Sequence, residues 1–206
     1  MLDMDGTILD LAFDNYMWLE HVPEHFASAN GIEPEEARRR LYAKFEEMLG
    51  RLEWYCLDHW SEYLNLDVAR LHRDLNDRIG YLPGAKDFLE KVSRDDLRVV
   101  LVTNSHLEVL EIKDEVTGLT NYFDAVYSSH SFGAPKENQD FWTALRAEED
   151  FDPATTLFVD DTASVLESAD RFGVSMLLEI HRPDTSRPAR QSSEYPGVEG
   201  VGDLVD

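Results

Sequence analysis

Two carboxylates stand two residues apart in the stretch Leu2-Asp3-Met4-Asp5-Gly6-Thr7, directly after an apolar residue. In an extended chain residues i and i+2 point to the same face, so Asp3 and Asp5 can address one ligand. Gly6 lets the chain turn away sharply after them. The stretch therefore predicts a short buried strand with a polar loop at its carboxyl end. Taken alone, the same pattern is also typical of a simple turn or a calcium-binding loop.

Three further apolar runs lead to polar residues that suit the same chemistry. They are 99–102 before Thr103, 125–127 upstream of Lys136, and 157–159 before Asp160 and Asp161. A short apolar run of this kind predicts a buried parallel strand. Ligands of open α/β sheets bind at the carboxyl ends of the strands, so these side chains should converge in one crevice. Carboxylates, a hydroxyl and an ammonium group together suit a magnesium ion and a phosphate.

Strand and helix patterns alternate after Pro83. We expect strands at 97–102, 125–128, 156–159 and 174–180, and helices at 106–116, 138–149 and 163–172. This alternation predicts an α/β fold with a Rossmann-like, doubly wound parallel sheet. Residues 12–80 show helical periodicity and no convincing strand. The predicted organisation is an α/β core of residues 1–11 and 81–206 with a helical insertion of residues 12–80. A loop or loosely held tail is expected at 182–197.

The first strand is short for its predicted place in the sheet. Only Met1 and Leu2 precede Asp3, whereas a central strand usually has about five residues. We therefore expect a few more apolar codons ahead of Met1 in the genomic reading frame.

The composition is that of an acidic protein without disulfides. The 206 residues include 42 acidic and 19 basic side chains, which gives a formal net charge of −23. Such a surface repels nucleic acid and anionic membranes, so neither is an expected partner. Cys56 is the single cysteine, and no apolar run approaches the ~20 residues that span a bilayer. With no leader pattern either, the sequence predicts a cytoplasmic protein of undetermined oligomeric state.

The order of the motifs resembles the haloacid dehalogenase superfamily, most of whose members are phosphatases. The resemblance covers nearly the whole chain and is carried by Asp3-x-Asp5-Gly-Thr, Thr103-Asn104, Lys136 and Asp160-Asp161. A narrower similarity, to the bacterial GMP/IMP nucleotidases of this superfamily, lies in segments 2–16, 54–58, 60–62, 117–119 and 132–137. It implies that the helical insertion is a cap over the active site. It also implies a small phosphorylated metabolite, a purine nucleotide, as the substrate.

The resemblance assigns catalytic roles to the first motif. Asp3 would be the nucleophile that attacks phosphorus and forms an aspartyl-phosphate. Asp5 would protonate the leaving oxygen and later deprotonate the attacking water. The dehalogenase branch lacks an acid at the second position, so Asp5 favours phosphoryl transfer over cleavage of a carbon–halogen bond.

The remaining motifs would bind phosphate and metal. Thr103 would donate its hydroxyl to a phosphate oxygen, with the backbone amides of Asn104 and Ser105 as further donors. Lys136 would balance the negative charge of phosphate and nucleophile. Magnesium, the expected cofactor, would be bound by Asp3, Asp161, the backbone carbonyl of Asp5 and, in support, Asp160.

Simpler explanations exist for each motif taken singly. Thr103-Asn104 and Asp160-Asp161 are typical of helix caps, and a lone lysine is usually a solvated surface residue. His21 and His25 are four residues apart, but no third ligand is evident and no metal is expected there. Aromatic residues at helical spacing are more often core than purine contacts; this concerns Tyr16, Trp18, Trp54, Tyr55 and Trp60.

Three other functions fit the motifs. One is a phosphatase for a sugar phosphate or phosphoglycolate, and another is a phosphomutase. The third, suggested by the short first strand, is a catalytically dead relative that binds a ligand or partner.

Overall fold

The computed structural model describes residues 1–94, 96–191 and 194–205 and has a mixed α/β architecture. Its strands are β1 (Val100–Thr103), β2 (Ala125–Ser128), β3 (Leu157–Asp160), β4 (Met176–Ile180) and β5 (Gly197–Val198). Its α-helices are α1 (Ala12–Tyr16), α2 (Val22–Asn30), α3 (Pro34–Met48), α4 (Leu57–Leu64), α5 (Val68–Asp74), α6 (Ala85–Val92), α7 (Leu107–Thr117), α8 (Gln139–Glu148) and α9 (Ala163–Phe172). A π-helical stretch, Met17–His21, joins α1 to α2, and short 3-10 helices include Leu52–Tyr55 and Ser129–Ser131.

The five named strands pair in parallel. β1 pairs with β2, and β4 lies between β3 and β5. Residues 1–3 join the two groups, because Leu2 bridges to Leu101 on one side and to Val159 on the other. The Asp3 N–H donates to the Val159 carbonyl at 3.0 Å. The amino-terminal segment thus takes the place of a central strand, and the predicted parallel α/β fold is confirmed.

Most predicted elements are found within two residues of their expected ends, and the strand ends differ for local reasons. The strand expected at 97–102 begins only at Val100, because the Val99 N–H binds the Asp124 carboxylate at 2.8 Å instead of a neighbouring strand. The strand expected at 174–180 begins at Met176, since the Val174 N–H still caps α9 by binding the Ala169 carbonyl at 3.0 Å.

The helical insertion, residues 12–80, has an apolar cluster of its own. Its buried members include the stripe Leu41, Phe45 and Met48 of α3 together with Trp60 of α4. Val109 of α7 belongs to the same cluster, so the insertion packs directly against the α/β part. The division of the chain into two domains stays a prediction. Within the described ranges, no helix is both long and apolar enough to cross a membrane.

Of the two alternatives expected for residues 182–197, a loop or a loosely held tail, the structure shows a loop over residues 182–191, and residues 192–193 lie outside the described residues. The loop is not loosely held, because the Pro183 carbonyl accepts a hydrogen bond from the Leu11 N–H at 2.9 Å. Thr185 binds the carboxylate of Asp10. Arg190 reaches the end of β3. The loop is fixed because its polar groups bind residues near the first motif, which its composition did not reveal.

Candidate active site

Lys136 lies at the centre of a buried cluster of charges. Its ammonium group donates to the Asp3 carboxylate, to Asp160 Oδ2 at 2.7 Å and to the Val102 carbonyl at 3.2 Å. The residue is 2% exposed, so it is no solvated surface lysine. Asp3 follows the short central segment and Asp160 ends β3. The structure therefore brings three of the predicted site residues together at the carboxyl ends of the strands.

The carboxylates of Asp3, Asp160 and Asp161 form a compact oxygen cluster. One oxygen from each lies within 4.8 Å of the other two, and all three residues are buried. Gly6 makes this approach possible, since it has a φ of +85° and a Cβ there would lie 2.8 Å from Asp161 Cγ. Asp160 also accepts a hydrogen bond from the Thr162 N–H at 2.9 Å. The helix-cap interpretation is not realised, because Thr162 is the N-cap of α9 and no side chain caps the helix.

The loop after β1 is held by its own side chains. Thr103 Oγ1 accepts a hydrogen bond from the Ser105 N–H at 3.0 Å. Asn104 accepts from the Lys136 N–H at 2.8 Å and donates to Glu137 at 3.0 Å. This loop and the Lys136 loop are therefore fixed to each other, and the four predicted phosphate-binding residues all line one cavity: Thr103, Asn104, Ser105 and Lys136.

Asp5 faces a second buried lysine that the sequence did not single out. Lys113 of α7 donates to Asp5 Oδ1 at 2.6 Å and to the two oxygens of Asp14 at 2.7 and 2.9 Å. It is 1% exposed. Burial opposes its charge, but Asp14 and Asp5 outweigh burial and raise the pKa of Lys113. Asp5 is thereby tied to α1, at the start of the helical insertion.

Arg190 is the second cation that sequence reasoning missed. Its guanidinium donates to the Asp161 carbonyl at 2.9 Å and to Asp161 Oδ2 at 3.1 Å. Ion pairs around the cavity thus join five carboxylates to three cations, a formal excess of two negative charges.

Burial, together with this excess of negative charge, raises the pKa values of the aspartates. Burial, with Asp160 beside it, raises the pKa of Asp161 to about 7. Burial, with Asp14 beside it, raises the pKa of Asp5 to about 6. Burial also raises the pKa of Asp3, even though Lys136 opposes the shift. Three convergent carboxylates with uncompensated charge are the donor set that a hard divalent cation prefers, so the residues fit magnesium.

The cavity above these charges has a volume of about 470 Å³. Its floor is the strand-end cluster, and its wall is built largely from the helical insertion, including Trp18, Trp54 and Tyr55. Tyr55 fixes the wall to the floor, because its hydroxyl donates to Glu137 at 2.6 Å. Trp60 is fully buried in the core of the insertion and is no part of the wall.

A signal for Lys113 does exist in the sequence. The residue follows Val109 by four positions and Leu110 by three, and all three are buried on one side of α7. A charged residue on an apolar helix stripe indicates a buried ion pair. Arg190 carries no comparable signal, because it lies in a proline-containing loop without periodicity.

Comparison with known proteins agrees with this geometry. Residues 1–178 match the family model of the haloacid dehalogenase-like hydrolases. The chain is 37% identical over 205 residues to the GMP/IMP nucleotidase YrfG of Escherichia coli strain K12. The alignment covers 100% of this chain and 92% of that protein. It is 29% identical over 111 residues to the pyrimidine 5′-nucleotidase YjjG of the same organism, covering 52% of this chain and 49% of that one.

Solved structures share the fold. A phosphatase of the haloacid dehalogenase type from Thermococcus onnurineus superimposes with a TM-score of 0.80 at 21% identity, over 98% of this chain and 94% of that one. An L-2-haloacid dehalogenase from Xanthobacter autotrophicus gives a TM-score of 0.66 at 19% identity, over 99% and 95% of the two chains. The family match and the full-length relative lead to one conclusion: this chain belongs to the haloacid dehalogenase-like hydrolases.

Proposed function

We propose that the protein is a magnesium-dependent phosphomonoesterase that hydrolyses purine 5′-nucleotides, GMP and IMP before others, through an aspartyl-phosphate. The observation that carries the proposal is the Asp3–Lys136–Asp160–Asp161 cluster on the floor of the cavity. A carboxylate beside a buried ammonium and an oxygen cluster suits the attack on a phosphate dianion. The 37% identity to a GMP/IMP nucleotidase supports the choice of substrate.

Two residues carry the covalent steps. The Asp3 carboxylate attacks phosphorus, and the ester bond to the nucleoside 5′-oxygen breaks. Asp5, two residues on, gives its proton to that oxygen and then takes a proton from the water that hydrolyses the aspartyl-phosphate. The phosphate leaves with one oxygen from water, and Asp3 is regenerated as a carboxylate.

The remaining residues bind and orient. Lys136 holds the Asp3 carboxylate in place and neutralises charge on the transferring phosphoryl group. The Thr103 hydroxyl and the Asn104 N–H donate to phosphate oxygens. The Ser105 N–H donates to Thr103 Oγ1 and would have to leave that bond to reach a phosphate. Asp3 and Asp161, with Asp160 beside them, would hold the magnesium ion, which neutralises charge on the phosphoryl oxygens when bound.

The helical insertion is proposed to act as the cap that selects the nucleoside and excludes water. It supplies Trp18 and Trp54, whose rings line the cavity and offer apolar faces to a purine. GMP and IMP carry a 6-oxo group where AMP carries an amine. A donor aimed at that oxygen rejects AMP, because the donor would be left without a partner.

The proposal is tested by kcat/KM for GMP, IMP, AMP, UMP, phosphoglycolate and glucose phosphates, measured with excess magnesium and after chelation. We expect activity to require magnesium and GMP and IMP to lead the series. A sugar phosphate or phosphoglycolate that exceeds GMP about tenfold, ~1.4 kcal/mol of transition-state preference, would refute the nucleotidase assignment and leave a general phosphatase. Inactivity toward a generic aryl phosphate as well would indicate a binding protein.

A further inference from the structure

A second group of ligand-type side chains lies apart from the aspartates. It consists of Cys56, His106 and His130, and one ligand atom from each lies within 4.8 Å of the other two. Cys56 links the 3-10 helix Leu52–Tyr55 to α4 in the helical insertion. His106 is the N-cap of α7, and His130 lies in the 3-10 helix after β2. We call these three residues the Cys–His cluster.

His130 has a ring nitrogen available for a metal ion. Its Nε2 is buried and has no hydrogen-bond partner in the part of the chain that the structure describes. A buried polar atom without a partner is costly, and a metal bond removes that cost.

His106 lies next to it. Its Nδ1 accepts a hydrogen bond from the Glu108 N–H at 3.3 Å, which places the ring proton on Nε2. Metal binding through Nε2 therefore moves the ring proton to Nδ1 and gives up this contact. Its Nε2 lies 3.9 Å from Asp58 Oδ2, and the Asp58 side chain is 84% exposed and therefore able to move toward the cluster. The two imidazoles are 4.9 Å apart between ring centroids, with an interplanar angle of 81°.

We propose that Cys56, His106 and His130 bind a divalent transition-metal ion of the Zn²⁺ class, which joins the helical insertion to the α/β core. One sulfur and two imidazole nitrogens are ligands that Zn²⁺ prefers, with bonds of about 2.3 and 2.0 Å in tetrahedral geometry. Asp58 or water completes the set. Binding draws the three atoms about 1 Å closer and releases the Cys56 thiol proton to solvent. Magnesium prefers oxygen donors, so the two sites select different ions.

The position of the site gives it a consequence for the cavity. His106 belongs to the Cys–His cluster, and Tyr55 precedes Cys56 in the chain. Both residues line the cavity wall. An ion bound to Cys56 on the insertion and to both histidines on the core fixes these two parts together. It therefore holds the cavity closed and slows the exchange of substrate and product.

Cobalt is the probe, because Co²⁺ substitutes for Zn²⁺ and reports thiolate ligation by absorption. Metal-free protein is titrated with Co²⁺ in excess magnesium, which occupies the aspartate site. We expect one Co²⁺ per chain, a thiolate-to-cobalt charge-transfer band, and loss of that band on adding Zn²⁺. Cys56→Ser should abolish the band, and His130→Asn should weaken binding at least about tenfold. His25→Asn, at the exposed member of the His21–His25 pair, is the matched control and should bind like the wild type.

Thermal unfolding without added metal verifies that each variant is folded before it is titrated. Cobalt bound without a thiolate band, or bound equally by wild type and Cys56→Ser, would overturn the site. The effect on the cavity is tested by turnover of an aryl phosphate with micromolar Zn²⁺ and excess magnesium. We expect Zn²⁺ to slow the wild type more than Cys56→Ser; equal inhibition of the two would overturn the closure of the cavity.

Discussion

Lys136 and Lys113 are both buried and each binds two aspartates, but they connect different parts of the molecule. Lys136 joins Asp3 to Asp160, so its contacts stay within the strand ends of the α/β core. Lys113 joins Asp5 of the first motif to Asp14 of the helical insertion. The proposed nucleophile, Asp3, and the proposed acid–base residue, Asp5, thus each form an ion pair with a different lysine.

The difference teaches that the two halves of the proposed reaction depend on different parts of the fold. The environment of Asp3 is set by loops that follow β1, β2 and β3, which pair with neighbouring strands. The environment of Asp5 depends on the position of the helical insertion, because Lys113 also binds Asp14, which belongs to the insertion. Changes on the Lys136 side should therefore lower turnover with any phosphate ester. For changes on the Lys113 side, the loss of turnover should depend more on which substrate the insertion contacts.

The largest expected effect is that of Asp3→Asn. An amide cannot attack phosphorus, so we expect kcat to fall on the order of 10⁴-fold or more while the fold is retained. Asp14→Asn is the corresponding change on the Lys113 side and should cost only about tenfold, because Asp5 keeps its lysine. The measurement is kcat of both variants by steady-state kinetics, with circular dichroism as the control for folding. Near-normal activity of Asp3→Asn would refute the mechanism.

Lys136→Met should have the next largest effect, a loss on the order of 10³-fold in kcat both for GMP and for an aryl phosphate. The ammonium that neutralises the phosphoryl group is gone, and two buried carboxylates lose their shared partner. The protein should also unfold at a lower temperature without magnesium, and magnesium should recover part of the loss. A variant that keeps wild-type kcat on both substrates would show that Lys136 is only structural.

Lys113→Met is the same substitution on the other side and should cost about 10- to 100-fold, in kcat more than in KM. The loss should be smaller for an aryl phosphate than for GMP, because an aryl leaving group needs little help from the proton of Asp5. Lys113→Arg should recover part of the activity. Equal losses on the two substrates would contradict the assignment of Lys113 to the acid–base side.

The smallest expected effect concerns stability near the Lys113 side. Burial lowers the pKa of His72 to about 4, and its Nδ1 lies 2.8 Å from the Val68 carbonyl. Between pH 6.5 and 4 the unfolded chain therefore binds a proton that the folded chain does not, so acid destabilises the fold there. At pH 5.5 this amounts to about 1 kcal/mol. Denaturant unfolding at pH 5.5 and 7.5 should show a smaller difference in the free energy of unfolding between the two pH values for His72→Leu than for the wild type. An equal difference in the two proteins would contradict this role of His72.

The sequence predicted the Lys136 side and missed the Lys113 side for a physical reason. Asp3, Thr103 and Asp160 each follow a short apolar run, and that local pattern implies both a strand and the place where it ends. Lys113 lies inside a helix, and its partners are 99 and 108 residues away. A helix places charged residues on its solvent side by default, so only the apolar neighbours of Lys113 gave a hint.

The loop with Arg190 was missed for a different reason. Its prolines and polar residues are typical of an exposed connection, and nothing local indicates that Arg190 reaches Asp161. Hydrogen bonds to Leu11 and Asp10 fix this loop, and such long-range pairing depends on the finished sheet. The strand and helix order, by contrast, was predictable because hydrophobic periodicity is a local property of the chain.

The central claim, that Asp3 forms a phosphoenzyme, is tested most directly with Asp5→Asn and an aryl phosphate. The aryl group leaves without a proton donor, whereas hydrolysis of the aspartyl-phosphate lacks its base and should be slow. We predict a rapid release of about one equivalent of phenol per chain, with phosphate found on the peptide that contains Asp3 after acid quenching. The double variant Asp3→Asn/Asp5→Asn should show neither. Turnover without a burst, or phosphate on any other residue, would contradict the account.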